Sequence, residues 1–102
     1  LAYPTPRAAQ AVAPVALARG LAPEVRVNGV APGTVAWPED DERFAEGSPA
    51  RANILRAIPL GRIGEPADIA RTAVFLAQSP FISGQTIVVD GGRLAAGGVG
   101  AE

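Results

Sequence analysis

The sequence contains no cysteine, no histidine and no methionine. Without Cys there are no disulfides, no thiolate nucleophile and no thiolate metal site. Without His there is no Ser-His-Asp triad, no H-E-x-x-H zinc motif and no imidazole base. Together these two absences exclude most hydrolase and metalloenzyme classes. Aromatic residues are scarce, with one Trp and one Tyr. The net charge of −1 gives no cationic surplus, so neither nucleic acid nor an anionic membrane surface is expected as a partner. No apolar run approaches the ~18 residues of a membrane span. The chain starts at Leu1 and has no secretory h-region, which reads as a piece of a longer, cytoplasmic protein.

What is present is the composition of a globular protein, with 48% hydrophobic residues in 102 positions, enough for one domain at most. Residues 6–22 have helical spacing, with Val12, Val15, Ala16 and Arg19 on one face. Pro14 interrupts that segment at a cost of ~3 kcal/mol or a kink. Val25–Ala31 reads as a strand that ends at Pro32-Gly33. The acidic stretch 38–48, with Glu39, Asp40, Asp41, Glu42 and Glu46, reads as a solvated, mobile loop. Ser48 and Pro49 form a helix start, so 49–57 is a short helix. Glu65-Pro66-Ala67-Asp68 starts a second, with Ile69, Ala73 and Leu76 at helical spacing and Val74 beside them. Thr86–Val89 is a continuous apolar strand, as in a sheet covered on both faces. Residues 94–102 read as a flexible tail, and Gly98-Val99-Gly100 follows no strand and opens no helix. Two strands alone make a poor sheet, so another chain or a missing N-terminal half is expected to cover the open edges.

The segments R-V-N-G-V-A-P-G (26–33), P-L-G-R-I-G-E-P-A-D-I-A (59–70), F-L-A (75–77) and S-G-Q-T-I-V-V-D-G-G (83–92) resemble, in order and spacing, the C-terminal half of the short-chain dehydrogenase/reductase family. The variant P-G-T-V-A-W-P-E (32–39) is most similar to the bacterial pteridine reductase branch. The resemblance implies an α/β fold, here the C-terminal part of a single domain built on a Rossmann-like doubly wound parallel sheet. It implies hydride transfer from NADPH or NADH to a small-molecule substrate, a pteridine or a related carbonyl or imine compound, in a homo-oligomer. A 3-oxoacyl thioester reductase is the alternative within the family. A remnant that only packs against a partner is the alternative outside enzymology.

The resemblance also carries site residues. Tyr3 stands where the family's catalytic Tyr falls, and the position four residues on is Arg7 where the family has Lys. A free Tyr has a pKa of about 10, so the chemistry needs a nearby cation to stabilise the phenolate. Arg7 keeps the charge but presents a planar fork in place of a compact ammonium. In the family the Pro32-Gly33 turn approaches the nicotinamide, and the main chain of Val35 would bind its carboxamide. Trp37 is the candidate substrate contact, stacking on a flat heterocycle, with a core or lid contact as the alternative. Asp68 reads as a helix-start charge, Asp90-Gly91-Gly92 as a structural strand end, and Arg62 and Arg93 as surface or interface charges.

Overall fold

The computed structural model describes residues 5–96, with side chains from residue 12 onward. Three helices, α1 (Thr5–Leu21), α2 (Pro49–Ala57) and α3 (Pro66–Ala77), accompany two strands, β1 (Gly29–Pro32) and β2 (Thr86–Val89). A 3₁₀ turn spans Glu42–Phe44. The chain divides into two compact units, one holding the residues up to Ala31 with Ala70–Ile87, the other Pro32–Ile69 with Val88 onward.

In the first unit α1 continues through Pro14 without a break. Pro6 lies in the first turn, where its missing N–H would have had no partner within the helix. Pro14 is interior, and its ring is buried close to the backbone of β1: a Cβ added at Gly29 would lie 3.3 Å from Pro14 Cγ. Ala18, one turn on, is 8% exposed, and its Cβ would meet a Cβ at Gly84 at 3.4 Å. The buried face of α1 is therefore Pro14 and Ala18, and the face expected from the spacing of Val12, Val15, Ala16 and Arg19 is exposed. Compact side chains at positions four apart fit against glycine backbone, where branched ones would hold it off.

β1 is shorter than the expected strand and begins later. Its partner offers only Thr86–Val89, so Val27 and Asn28 pair with the turn that precedes β2. Val27 N donates to Ser83 Oγ at 3.2 Å, and Gly84 N donates to Val27 O at 2.7 Å. Asn28 bridges the same turn, donating through Nδ2 to Ile82 O at 2.9 Å and accepting at Oδ1 from Gln85 N at 3.0 Å. The two strands then run parallel, with Gly29 N on Gln85 O at 2.8 Å and Gly33 N on Val89 O at 2.9 Å. The sheet is less covered than the apolar run Thr86–Val89 predicts, since Val88 is 43% exposed.

Arg26 closes the C-terminal end of α3. Its Nη1 donates to the carbonyls of Leu76, Ser79 and Ile82 at 2.9, 2.9 and 3.1 Å, and its Nη2 to Ala77 O at 2.9 Å. Terminal helix carbonyls have no partner within the helix, and a cation there also complements the helix dipole. Leu76 is the buried residue of α3, whereas Val74 and Phe75 are exposed.

In the second unit Ser48 Oγ accepts from Arg51 N at 3.2 Å and Pro49 takes the first helical position, as the sequence pattern predicts. Asp68 Oδ2 reaches back to accept from Glu65 N at 2.8 Å, half of a capping box, and pairs with Arg62 at 3.3 Å. Buried Ile58 and its neighbours pack on the turn after β2: Leu60 N donates to Gly91 O at 3.0 Å, and a Cβ at Gly92 would lie 3.2 Å from Pro59 Cγ. Gly91 and Gly92 have φ of 68° and 92°, the left-handed region that glycine enters without steric cost. The Asp90 carboxylate secures that turn, accepting from Gly92 N and Leu94 N, both at 2.9 Å. Residues 94–96 continue it as a turn, and the rest of the expected tail lies outside the described residues.

Candidate active site

In open parallel sheets ligands bind beyond the carboxyl ends of the strands, where the backbone leaves the ladder. Both strands of this chain end in the second unit, at Pro32-Gly33 and at Asp90-Gly91. Gly33 is held there by space. A Cβ at that position would lie 2.7 Å from Asp90 Cβ and 2.9 Å from Asp90 Cα, distances that real contacts do not reach. The close approach that Gly33 permits within the described structure is therefore to the end of β2. This is a different physical reason for the glycine from the nicotinamide approach that the resemblance implies.

After Gly33 the chain is tied to the link before α3. Thr34 O accepts from Gly64 N at 2.9 Å, and Val35 Cγ1 would stand 3.0 Å from a Cβ at Gly64. The Val35 side chain is thus engaged, while its main chain has no hydrogen-bond partner among the described residues. An N–H and C=O left unpaired in the loop that leaves a strand's carboxyl end are groups a ligand can satisfy.

Beyond Val35 the loop opens a cleft of about 640 Å³, lined by Trp37, Phe44, Arg51 and Ile63 together with acidic loop residues. The loop holds a capped 3₁₀ turn that its charge density does not predict. Asp41 caps the 3₁₀ turn, accepting from Arg43 N at 3.0 Å, and it pairs with the Arg43 side chain at 2.6 Å. Those hydrogen bonds, the side-chain ones foremost, hold the Asp41 carboxyl below its usual value and raise the Arg43 guanidinium. The turn presents Phe44 to Trp37, with ring centroids 6.4 Å apart and planes 22° from parallel. The Arg51 guanidinium lies over the Trp37 ring at 4.6 Å. Its Nη1 also reaches Phe44 O at 3.4 Å.

The expected site residues are thus only partly brought together. Pro32, Gly33, Val35 and Trp37 follow one another out of β1 and into the cleft. Tyr3 lies outside the described residues, and Arg7 falls in the part of α1 for which only the helical backbone is described. Trp37 packs against Phe44 and carries the Arg51 guanidinium over its ring. Arg51 was legible as a residue of the first turn of α2, but nothing in its spacing pointed to Trp37. Among the described residues no group of acidic side chains is arranged to hold a metal ion.

This order of turns agrees with what the chain is similar to. The family model for enoyl-(acyl carrier protein) reductase matches residues 2–93. The 3-oxoacyl-(acyl-carrier-protein) reductase FabG of Chlamydia pneumoniae is 44% identical over 85 residues, covering 76% of this chain and 33% of that protein. A solved short-chain dehydrogenase from Leptospira borgpetersenii with bound NAD+ superimposes with a TM-score of 0.72 at 31% identity, covering 85% of this chain and 33% of that one. A small-chain dehydrogenase in complex with NADPH gives 0.66 at 32% identity, over 86% of this chain and 40% of the other. The chain therefore belongs to the short-chain dehydrogenase/reductase family, and its fold is α/β and Rossmann-like. It spans about a third or less of the length of the curated relatives it matches. The pteridine reductase branch does not stand out among these relatives, so the assignment holds at the level of the family.

Proposed function

We propose that this chain supplies the nicotinamide-end turn and the substrate loop of an NAD(P)H-dependent oxidoreductase that reduces a small carbonyl compound. The observation that carries the reading is the unpaired Val35 main chain at the carboxyl end of β1, in a chain of this family. Its N–H and C=O fit the C=O and NH₂ of a nicotinamide carboxamide, which offers one acceptor and one donor group. A bound nicotinamide dinucleotide supplies the hydride. By the family resemblance, Tyr3 is the residue assigned to give the proton to the developing alkoxide, and Arg7 stands at the position where the family has its Lys cation. Solved neighbours bound to NAD+ and to NADPH support either dinucleotide.

For the substrate, the relative that reduces a 3-oxoacyl group supports a carbonyl. The pteridine that Trp37 suggested would stack on that indole, of which Arg51 already takes one face. Association with a further copy or segment belongs to the same reading, supported by the exposed Val12, Leu17, Val74, Phe75 and Phe81.

The test is oxidation of reduced nicotinamide by the purified protein, with ketone, 3-oxoacyl thioester and dihydropteridine substrates in parallel. Turnover of a ketone or thioester is expected, and Tyr3→Phe is expected to lower kcat about 10²-fold with cofactor affinity unchanged. Turnover restricted to the pteridine would reverse the substrate assignment. No turnover and no cofactor binding by the folded protein would leave the packing module as the better account.

A further inference from the structure

We infer that Arg51 is a positioning residue, clamping the substrate loop onto α2 through the face of Trp37 and so setting the cleft's shape for substrate. The inference rests on the proposed reading that the loop after Val35 lines the substrate site. Three observations carry it, all within the second unit.

The first is placement. Arg51 sits in the first turn of α2, whose start is held by the Ser48 cap and Pro49, so its backbone is anchored independently of the loop. The second is contact. Its guanidinium stands 4.6 Å from the Trp37 ring centre, within the range of a cation–π interaction, and its Nη1 points at Phe44 O. One side chain thus touches both aromatic residues of the loop, which also stack on each other. The third is geometry of access. Trp37, Phe44 and Arg51 all line the cleft and touch one another, so the stack sets how far the loop stands from α2.

A planar guanidinium suits this work better than an ammonium. It lies flat on the indole while its edge donates to a carbonyl, and Lys can do one or the other. Because the cap on α2 uses the main-chain N–H of Arg51, substituting the side chain leaves that hydrogen bond in place. The helix and the clamp are therefore separable by mutation.

Two measurements decide the inference. The first needs no activity: Trp37 is the only Trp of the sequence, so its emission and its quenching by acrylamide report the clamp. Arg51→Ala is expected to shift emission and raise the quenching constant about threefold, with Arg51→Lys in between, as the loss of one cation–π contact implies. The second is the kinetic split. Arg51→Ala is expected to raise KM for the carbonyl substrate about tenfold, the size of ~1.4 kcal/mol, with kcat and cofactor Kd within about twofold of wild type. Arg51→Lys is expected to recover part of the KM loss.

Emission and quenching unchanged in Arg51→Ala would overturn the clamp, whatever the enzyme assays show. A changed emission with unchanged KM would overturn its role in substrate positioning. A parallel loss of cofactor affinity in Arg51→Ala and Arg51→Lys would make Arg51 a general packing residue instead. If the wild-type protein binds no nicotinamide, the functional reading fails while the fluorescence result still stands.

Discussion

Gly33 shows how tightly the strand ends are packed at the level of single atoms. Its φ lies outside the left-handed region, so conformational freedom is not what the position needs. It needs room, because any Cβ would press on Asp90 at 2.7 Å. Gly33→Ala is therefore expected to destabilise the protein by about 1–3 kcal/mol, the usual cost of over-packing, measured as a lower midpoint in urea. An unchanged midpoint would mean that β1 and β2 end farther apart than described. The substitution is a poor probe of cofactor binding, since it disturbs the scaffold first. Thr86 is the opposite kind of residue: its Oγ1 is buried with no hydrogen-bond partner among the described residues. It faces Gly29, where a Cβ would lie 3.2 Å from that oxygen, so no side chain from β1 comes near enough to pair with it.

Among the elements, the 3₁₀ turn Glu42–Phe44 is the one that charge counting misread. Five carboxylates between Glu39 and Glu46 predict repulsion, but Asp41 is tied into a cap by Arg43, and Arg43 in turn stands 5.5 Å over Phe44. A local cap hydrogen bond acts at contact distance, whereas repulsion among exposed charges is weakened by water and salt. The Asp41 carboxyl is lowered from its ordinary 3.8 by these bonds. A group lowered in the folded state stabilises it at pH above the ordinary value, and that contribution is lost as pH falls through the depressed one. Acidification is thus expected to loosen the turn and change Trp37 emission, because Phe44 leaves the indole. Asp41→Asn is expected to abolish that acid step. An identical step in Asp41→Asn would show that the turn is held by something else.

The other elements show what a sequence does and does not display. α2 and α3 were legible to within a residue because their starts carry local signals, Ser48-Pro49 and Pro66 with Asp68. β2 was legible because Thr86–Val89 is a continuous apolar run bounded by turns. The start of β1 was not, because strand limits are set by the partner, and the alternating Val25 and Val27 read as one face of a longer strand. The buried face of α1 was hidden for a related reason. Burial chose Pro14 and Ala18 for their fit against Gly29 and Gly84, which no periodicity of large apolar residues reveals.

For the molecule as a whole, the motifs in residues 26–92 were enough to assign the family, and the family-model match over 2–93 bears this out. The branch was not legible, because it hung on one indole whose surroundings depend on Arg51 and Phe44. Among the described residues the apolar core is small, with Ala18, Ile58 and Leu76 buried, while Phe81 is fully exposed and Leu60 is 72% exposed. No described helix is long and apolar enough to cross a membrane.

The proposed reception of the nicotinamide by the Val35 main chain is tested by cofactor affinity in two substitutions at that residue. Val35→Ala keeps the N–H and loses only the side chain that packs on Gly64. Val35→Pro removes the N–H. With folding checked by circular dichroism, Val35→Ala is predicted to leave the NADPH or NADH Kd within about threefold, and Val35→Pro to weaken it about tenfold or more, the cost of one unmade hydrogen bond. Equal affinities in the two folded variants would contradict the claim.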